Sequence, residues 1–244
     1  MGTTSRKQRE IQQREQLLLD VGRRMLIEQG FAGLSMDRLA EATEYSKGTI
    51  YQHFSTKEDL VTALAVQSVE RRLELFGRAE RFVGRPRERM VAIAVADELF
   101  ARLHPHYFRS ELIIKMASLQ DRASAGRLDS WEQLDSCCFG MVRRLIAEAI
   151  AAGDLALPPD RSPDEILFSL FALVIGTHTV MLNHARIFAE WELGTPYRAF
   201  RRAMDTMLDG LGMHPLATDW DYEATRQRVL NEVFADEQRT DGPA

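Results

Sequence analysis

The 244-residue chain carries 36 acidic against 31 basic side chains, a net charge of −5, so a polyanionic partner has to be met by a local basic patch and not by the whole molecule. With 45% hydrophobic and 27% charged residues it reads as an ordinary soluble protein, long enough to bury a sizeable core in one or two domains. Its two cysteines, adjacent at Cys137-Cys138, exclude a disulfide framework and lack metal-ligand spacing. The polar, basic N-terminus has no apolar signal region, so a cytoplasmic location with no membrane partner is expected.

In chain order, Leu17, Leu18, Val21, Met25 and Leu26 recur at helical spacing and predict a first helix that stops near Gly30. Before it, four cations (Arg6, Lys7, Arg9, Arg14) against Glu10 leave a local excess of three positive charges. This segment is either a DNA-touching arm or a solvated terminus; phosphate attraction acts within a Debye length of about 8 Å, so a local footprint suffices. Ser35 is placed to cap a short second helix with Asp37 in its first turn and Leu39 and Ala42 as its apolar stripe. Ser46 caps a third, whose opening turn holds Lys47, Gly48 and Thr49, polar or tiny groups that leave room for a base edge. Ile50 and Phe54, four apart, anchor that helix inward. Two short helices joined by a tight connection read as a helix-turn-helix, and double-stranded DNA is the first partner to consider. The connection contains Glu44 and Tyr45.

Ser55-Thr56-Lys57-Glu58 reads as a capping box that launches a long helix through Leu60, Leu64, Val69, Leu73 and Phe76, and it marks the domain junction. Gly84-Arg85-Pro86 breaks the chain; a helix through Met90, Ile93, Leu99 and Phe100 ends before Pro105, and another runs through Leu112, Ile113 and Met116. Ser130-Trp131-Glu132-Gln133 is read as the start of a helix through Phe139, Val142, Leu145 and Ile146 to Gly153. Ser162-Pro163-Asp164-Glu165 combines an N-cap, a proline at the first helical position and a glutamate reaching back. The helix behind it, over 166–182, is apolar almost all round but interrupted by Ser169, Gly176, Thr177, His178 and Thr179. It is read as a buried helix, covered by its own core and by a partner subunit, and not as a membrane span. Thr195-Pro196 opens a helix with Phe200, Met204 and Leu208 that stops at 210–212; an amphipathic stretch from Tyr222 to Phe234 follows. The fold class is therefore all-α, an N-terminal three-helix helix-turn-helix domain and then a larger helical domain. The expected boundaries are 1–56 with its basic arm, 57–235, and a disordered tail at 236–244.

Residues 11–60 resemble the DNA-binding segment of the TetR family of bacterial transcriptional regulators. The resemblance rests on Gly30-Phe31, Leu39-Ala40, the run Ser46-x-Gly48-Thr49-Ile50-Tyr51-x-His53-Phe54, and Lys57-Glu58-Asp59-Leu60. Family members usually carry glycine and a small aliphatic residue where this chain has Glu44 and Tyr45; a non-glycine residue in the left-handed turn that this pattern implies costs about 1–2 kcal/mol, so a locally rebuilt turn is expected there. Tyr45 is too large for that slot: its ring either leans over the edge of the motif with the hydroxyl near a phosphate, or packs against the first helix. The resemblance implies DNA contacts from Ser35, Arg38, Ser46, Lys47, Gly48, Thr49, Tyr51, His53 and Lys57, with base reading by the opening turn and phosphate holding by Tyr51, His53 and Lys57. It also implies a homodimer, with 166–184 and 196–211 pairing with their symmetry mates as a four-helix bundle, and an effector cavity carved out of the larger domain.

The candidate lining of that cavity is Leu99, Phe100, Tyr107, Met116, Trp131, Phe139, Phe171 and His178, chiefly apolar and without concentrated lysine or arginine. A small apolar or aromatic effector fits it, with His178 as polar anchor or, alternatively, bonded within the protein. No nucleophile elbow, glycine-rich phosphate loop or His-Glu-x-x-His is present, so no catalytic residue, metal or cofactor is assigned. The expectation is a ligand-responsive repressor released from a palindromic operator. The alternatives are a helical interaction protein whose helix-turn-helix is structural only, and an all-helical enzyme.

Overall fold

The computed structural model describes residues 6–117, 123–183 and 195–240, and every regular element among them is an α-helix. The helices are α1 (Arg6–Gly33), α2 (Met36–Thr43), α3 (Lys47–His53), α4 (Lys57–Ala79), α5 (Pro86–Leu103), α6 (Pro105–Ala117), α7 (Ala125–Ala151), α8 (Pro163–Asn183), α9 (Pro196–Gly210), α10 (Tyr222–Val233) and α11 (Ala235–Thr240). They fall into two compact units: 1–71 with 104–135, and 72–103 with 136–244. The unit around the helix-turn-helix is thus larger than the 1–56 suggested by the capping box. The reason is that the first half of α4, α6 and the first turns of α7 pack with α1–α3.

In the first unit Leu18, Leu26, Leu34, Leu39, Ile50, Phe54, Leu60 and Leu64 are all but inaccessible. Each such side chain contributes roughly 1.5–3 kcal/mol by leaving water. Gly22 lets α1 and α4 close up: a Cβ there would stand 3.3 Å from the Leu60 side chain. The buried Arg23 ties α1 to α6, donating to Ser110 Oγ at 2.7 Å and lying 3.8 Å from the Tyr107 ring centroid. Gly30, at φ 68°, kinks the end of α1 where the stop was expected.

The second unit is organised on α5, buried on nearly every face. Arg87 is fully buried and donates to Asp209 at 2.6 Å and to the carbonyls of Met213, Pro215 and Asp205, with its guanidinium over the Tyr222 ring. A charge without water has to be paired in this way, and the pairing holds the loop after α9 in place. Helix α10 packs on α5, and α8 on α9.

Several local expectations are corrected. Ser35 is extended at the start of α2 but its side chain makes no capping bond. The box opening α4 lies one residue later: Thr56 Oγ1 accepts from Asp59 N, and Asp59 Oδ2 accepts from Ser55 N. Ser130 does not start a helix, because α7 begins at Ala125 and the Ser130 hydroxyl donates back to Gly126 O. The reciprocal bonds of Ser162 and Glu165 and the Thr195 cap form as expected. The tail is helical through 240, since Arg78 binds Glu237 and the Val233 carbonyl and stacks on Phe234; residues 241–244 lie outside the described ones. Helix α8 is poorly buried within the chain, with Phe168 71% and Val180 42% exposed. Among the described residues it alone is long and apolar enough to cross a membrane by length and composition.

Candidate nucleic-acid interface

The turn between α2 and α3 is not rebuilt. Glu44 takes the left-handed conformation itself (φ 57°, ψ 22°), its N–H bonding to Glu41 O while the Tyr45 N–H reaches back to Ala40 O. That pair of bonds is a Schellman closure with glutamate in the position glycine usually fills. Tyr45 is half-buried, with the Arg14 guanidinium of α1 5.4 Å from its ring centroid. The ring therefore lies beside the Arg14 side chain of α1.

Helix α3 is oriented by its two buried anchors, Ile50 and Phe54. Ser46 Oγ accepts from Thr49 N at 3.1 Å and lies 2.9 Å from Thr49 Oγ1. Opposite the anchors, Lys47, Gly48, Tyr51 and Gln52 are exposed and Thr49 is half-buried. A Cβ on Gly48 would meet only Ser46 Oγ, at 3.8 Å, so nothing within the chain demands glycine there. Lys47 Nζ lies 2.7 Å from Asp37 Oδ2, both exposed; the hydrogen bond and charge of Asp37 push the ammonium above its usual pKa. Arg38 is exposed on α2 and donates to Gly33 O; Ser35 beside it is half-buried.

Two predicted phosphate ligands face elsewhere. The His53 side chain is 7% exposed with Nδ1 3.6 Å from Glu15 Oε2 on α1. Lys57 Nζ donates to Phe31 O at 2.9 Å and sits 3.9 Å from the Phe31 ring centroid, closing the C-terminal end of α1. The basic N-terminal segment is helical from Arg6, with Arg6 paired to Glu10, and residues 1–5 lie outside the described ones.

The residues expected to line an effector cavity divide between the units. Leu99, Phe100, Phe139, Phe171 and His178 belong to the second, where Phe139 and Phe171 meet edge to face at 4.9 Å. Tyr107 and Trp131 belong to the first, where Tyr107 is covered by Arg23. The Met116 side chain lies outside the described residues. His178 is buried with Nε2 3.6 Å from Asp97 Oδ2, and the rings of Tyr197 and Phe200 lie 6.0 and 6.2 Å from its own. Arg72 Nε approaches the other Asp97 oxygen to 3.6 Å. Burial pushes the Tyr197 hydroxyl pKa up, and the charges of Asp97 and Glu98 add to it. Asp97 and Tyr197 escaped the sequence reading, although two consecutive carboxylates inside the apolar α5 were a visible signal.

Residues 18–64 match the family model described as bacterial regulatory proteins, tetR family. The chain is 39% identical over 66 residues to the HTH-type transcriptional repressor AcnR of Corynebacterium diphtheriae, 27% of this chain and 35% of that protein. It is 36% identical over 69 residues to the HTH-type transcriptional regulator UidR of Escherichia coli K12, 28% of this chain and 35% of that one. The chain thus matches only about a third of the length of these relatives. The fold match extends further: a bacterial regulatory protein in the tetR family from Rhodococcus RHA1 superposes with a TM-score of 0.63 at 16% identity, covering 82% of this chain and 97% of that structure. The N-terminal segment over residues 18–64 is thus that of the tetR family of bacterial regulatory proteins, and the helical fold of the chain is like that of a solved protein of that family.

Proposed function

We propose that the protein is a cytoplasmic, homodimeric, sequence-specific DNA-binding regulator, acting as a repressor on a palindromic operator. One observation carries this reading: Ile50 and Phe54 are fully buried, so Lys47, Gly48 and Tyr51 are turned to solvent with room for a base edge at Gly48. Lys47, Gly48 and Thr49 read bases. Ser35, Arg38, Ser46 and Tyr51 hold the backbone, with Arg6, Lys7 and Arg9 on α1 adding positive charge. For His53 and Lys57 a bracing role fits better than the phosphate contact first expected, since one faces Glu15 and the other is bonded to Phe31 O.

Support for the dimer comes from α8 and α9. The exposed Phe168 and Val180 need cover, and an open groove of about 300 Å³ between the two helices is lined by Gly176, Val180, Met181, Ala199 and Phe200. A second copy covers that surface without a bilayer. Two-fold symmetry then calls for half-sites about 34–36 Å apart or a modest multiple of a helical turn. Release by a small apolar or aromatic effector in the second unit is supported by the Phe139–Phe171 pair and by the His178–Asp97 pair as a polar anchor. Switching an almost wholly competent population to an almost wholly incompetent one takes about 5.5 kcal/mol of differential binding.

A helical adaptor with a merely structural helix-turn-helix is favoured by one observation, that Lys47 and Lys57 are already engaged within the protein. Selection of bound duplexes from a random pool separates the two readings. A regulator enriches one palindromic sequence; an adaptor enriches none.

A further inference from the structure

The recognition helix α3 is held at its far end by a residue 74 positions away. Arg127, in the first turn of α7, donates through Nη2 to the carbonyl of His53, the last residue of α3, and to Glu15 Oε1 of α1, each at 3.1 Å. Its Nη1 donates to Asp59 Oδ2 of α4 at 3.0 Å, and its guanidinium carbon lies 4.6 Å from the ring centroid of Phe54. Ser124, three residues earlier, donates to the other Asp59 oxygen through both its N–H (3.2 Å) and its hydroxyl (2.6 Å). Asp59 Oδ2 also takes the Ser55 N–H at 3.0 Å, so both of its oxygens are engaged.

A helix of seven residues cannot hold itself, because nucleation is costly and two turns repay little of it. Its last carbonyls lack partners within the helix, and a cation there meets the negative end of the dipole. A planar guanidinium adds a fixed fork, and here three helices supply its acceptors at once: Glu15 from α1, the His53 carbonyl from α3 and Asp59 from α4. The charge of Arg127 is spent on two carboxylates and stacked on a buried ring, so it adds nothing to a phosphate.

We propose that Arg127 is a positioning residue for DNA recognition: it sets the tilt of α3 and thereby the alignment of Lys47, Gly48 and Thr49 with base edges, without touching DNA. The proposal rests on the DNA-binding reading. Base contacts need alignment, whereas attraction to phosphates tolerates a loose fit. Loss of the clamp therefore lowers discrimination and spares sequence-independent affinity.

The test uses the full chain, the duplex enriched by the native protein and a scrambled duplex of the same length. Arg127→Gln and Arg127→Lys are compared with native protein well below each melting temperature. The expected result is a loss of about tenfold or more on the selected duplex, affinity for the scrambled duplex within about twofold, and an unchanged salt slope. Arg127→Lys fails to rescue, because it keeps the charge and loses the fork. It also keeps the proposal falsifiable should Arg127→Gln not fold. Equal losses on both duplexes with a salt slope lower by about one unit would make Arg127 a phosphate ligand instead. An unchanged ratio in a less stable variant, or full rescue by lysine, would reduce it to a structural role. If the native protein enriches no sequence, the DNA-binding reading fails first and takes the proposal with it, a result independent of the variants.

Discussion

Lys47, the first residue of the recognition helix, is held by Asp37 of the preceding helix at 2.7 Å, with both side chains open to solvent. The pair presents α3 at neutral net charge when no DNA is bound. The ammonium has to leave the carboxylate, or share it, before it can meet a base or phosphate. Asp37→Asn removes both the competitor and a negative charge close to where the duplex would lie. Titration should show tighter binding to every duplex, by a few-fold at low salt, with the advantage shrinking as salt is raised. Weaker binding on all sequences would mean that Asp37 orients Lys47 and does not compete for it.

Glu44 occupies a left-handed position at φ 57°. Glu44→Gly relieves about 1 kcal/mol of backbone strain, a gain partly offset by the greater freedom of the unfolded chain. The variant should melt a few degrees higher with DNA affinity unchanged, since the Schellman bonds of Glu44 and Tyr45 are made by the backbone. A lower melting temperature would show that the Glu44 side chain contributes more than its backbone costs.

Asp59 gives the clamp a pH dependence. Burial alone would raise its carboxyl, but bonds from Ser124 and the Ser55 N–H and the charge of Arg127 outweigh this and hold its pKa below the ordinary 3.8. A group depressed on folding stabilises fully above its unfolded pKa, and that contribution is lost as pH falls through the folded value. Native protein should therefore lose its advantage over Asp59→Asn as pH drops below about 4, and hold it constant from pH 5 to 8. Melting curves across that range check it; a difference unchanged at pH 3 counts against the network.

Phe168 stands 71% exposed on α8. Phe168→Glu adds a charge where a second copy is proposed to cover the helix, and light scattering at micromolar concentration should report a monomer with unaltered helix content. A dimer that persists would move the interface off this face of α8.

The fold was readable wherever one residue carried its own physical reason. Apolar spacing located α1, α5 and α9, the Ser162–Glu165 reciprocal pair located α8, and Ser46 located α3. The reading failed where a side chain answered to something distant in sequence. Ser130 has the chemistry of a cap, yet α7 starts earlier because Ser124 and Arg127 are engaged by Asp59. His53 and Lys57 match the family motif letter for letter, but the positions of Glu15 and the Phe31 carbonyl decide where they point. The polar tail looked unable to pack until Arg78 supplied a partner for Glu237. Arg127 was invisible for the same reason: its four contacts lie 68 to 112 residues away in sequence or come from ring stacking.

The central claim, that α3 reads DNA through its outer face, is tested most directly by binding of the Gly48→Leu variant to the duplex enriched by the native protein. A Cβ at this position meets nothing closer than Ser46 Oγ at 3.8 Å, and replacing an exposed helical glycine stabilises by up to about 1 kcal/mol. The variant should therefore melt at or above the native temperature and bind the selected duplex at least about tenfold more weakly, because the added side chain occupies the space of a base edge. Undiminished affinity in a fully folded Gly48→Leu protein would contradict the account.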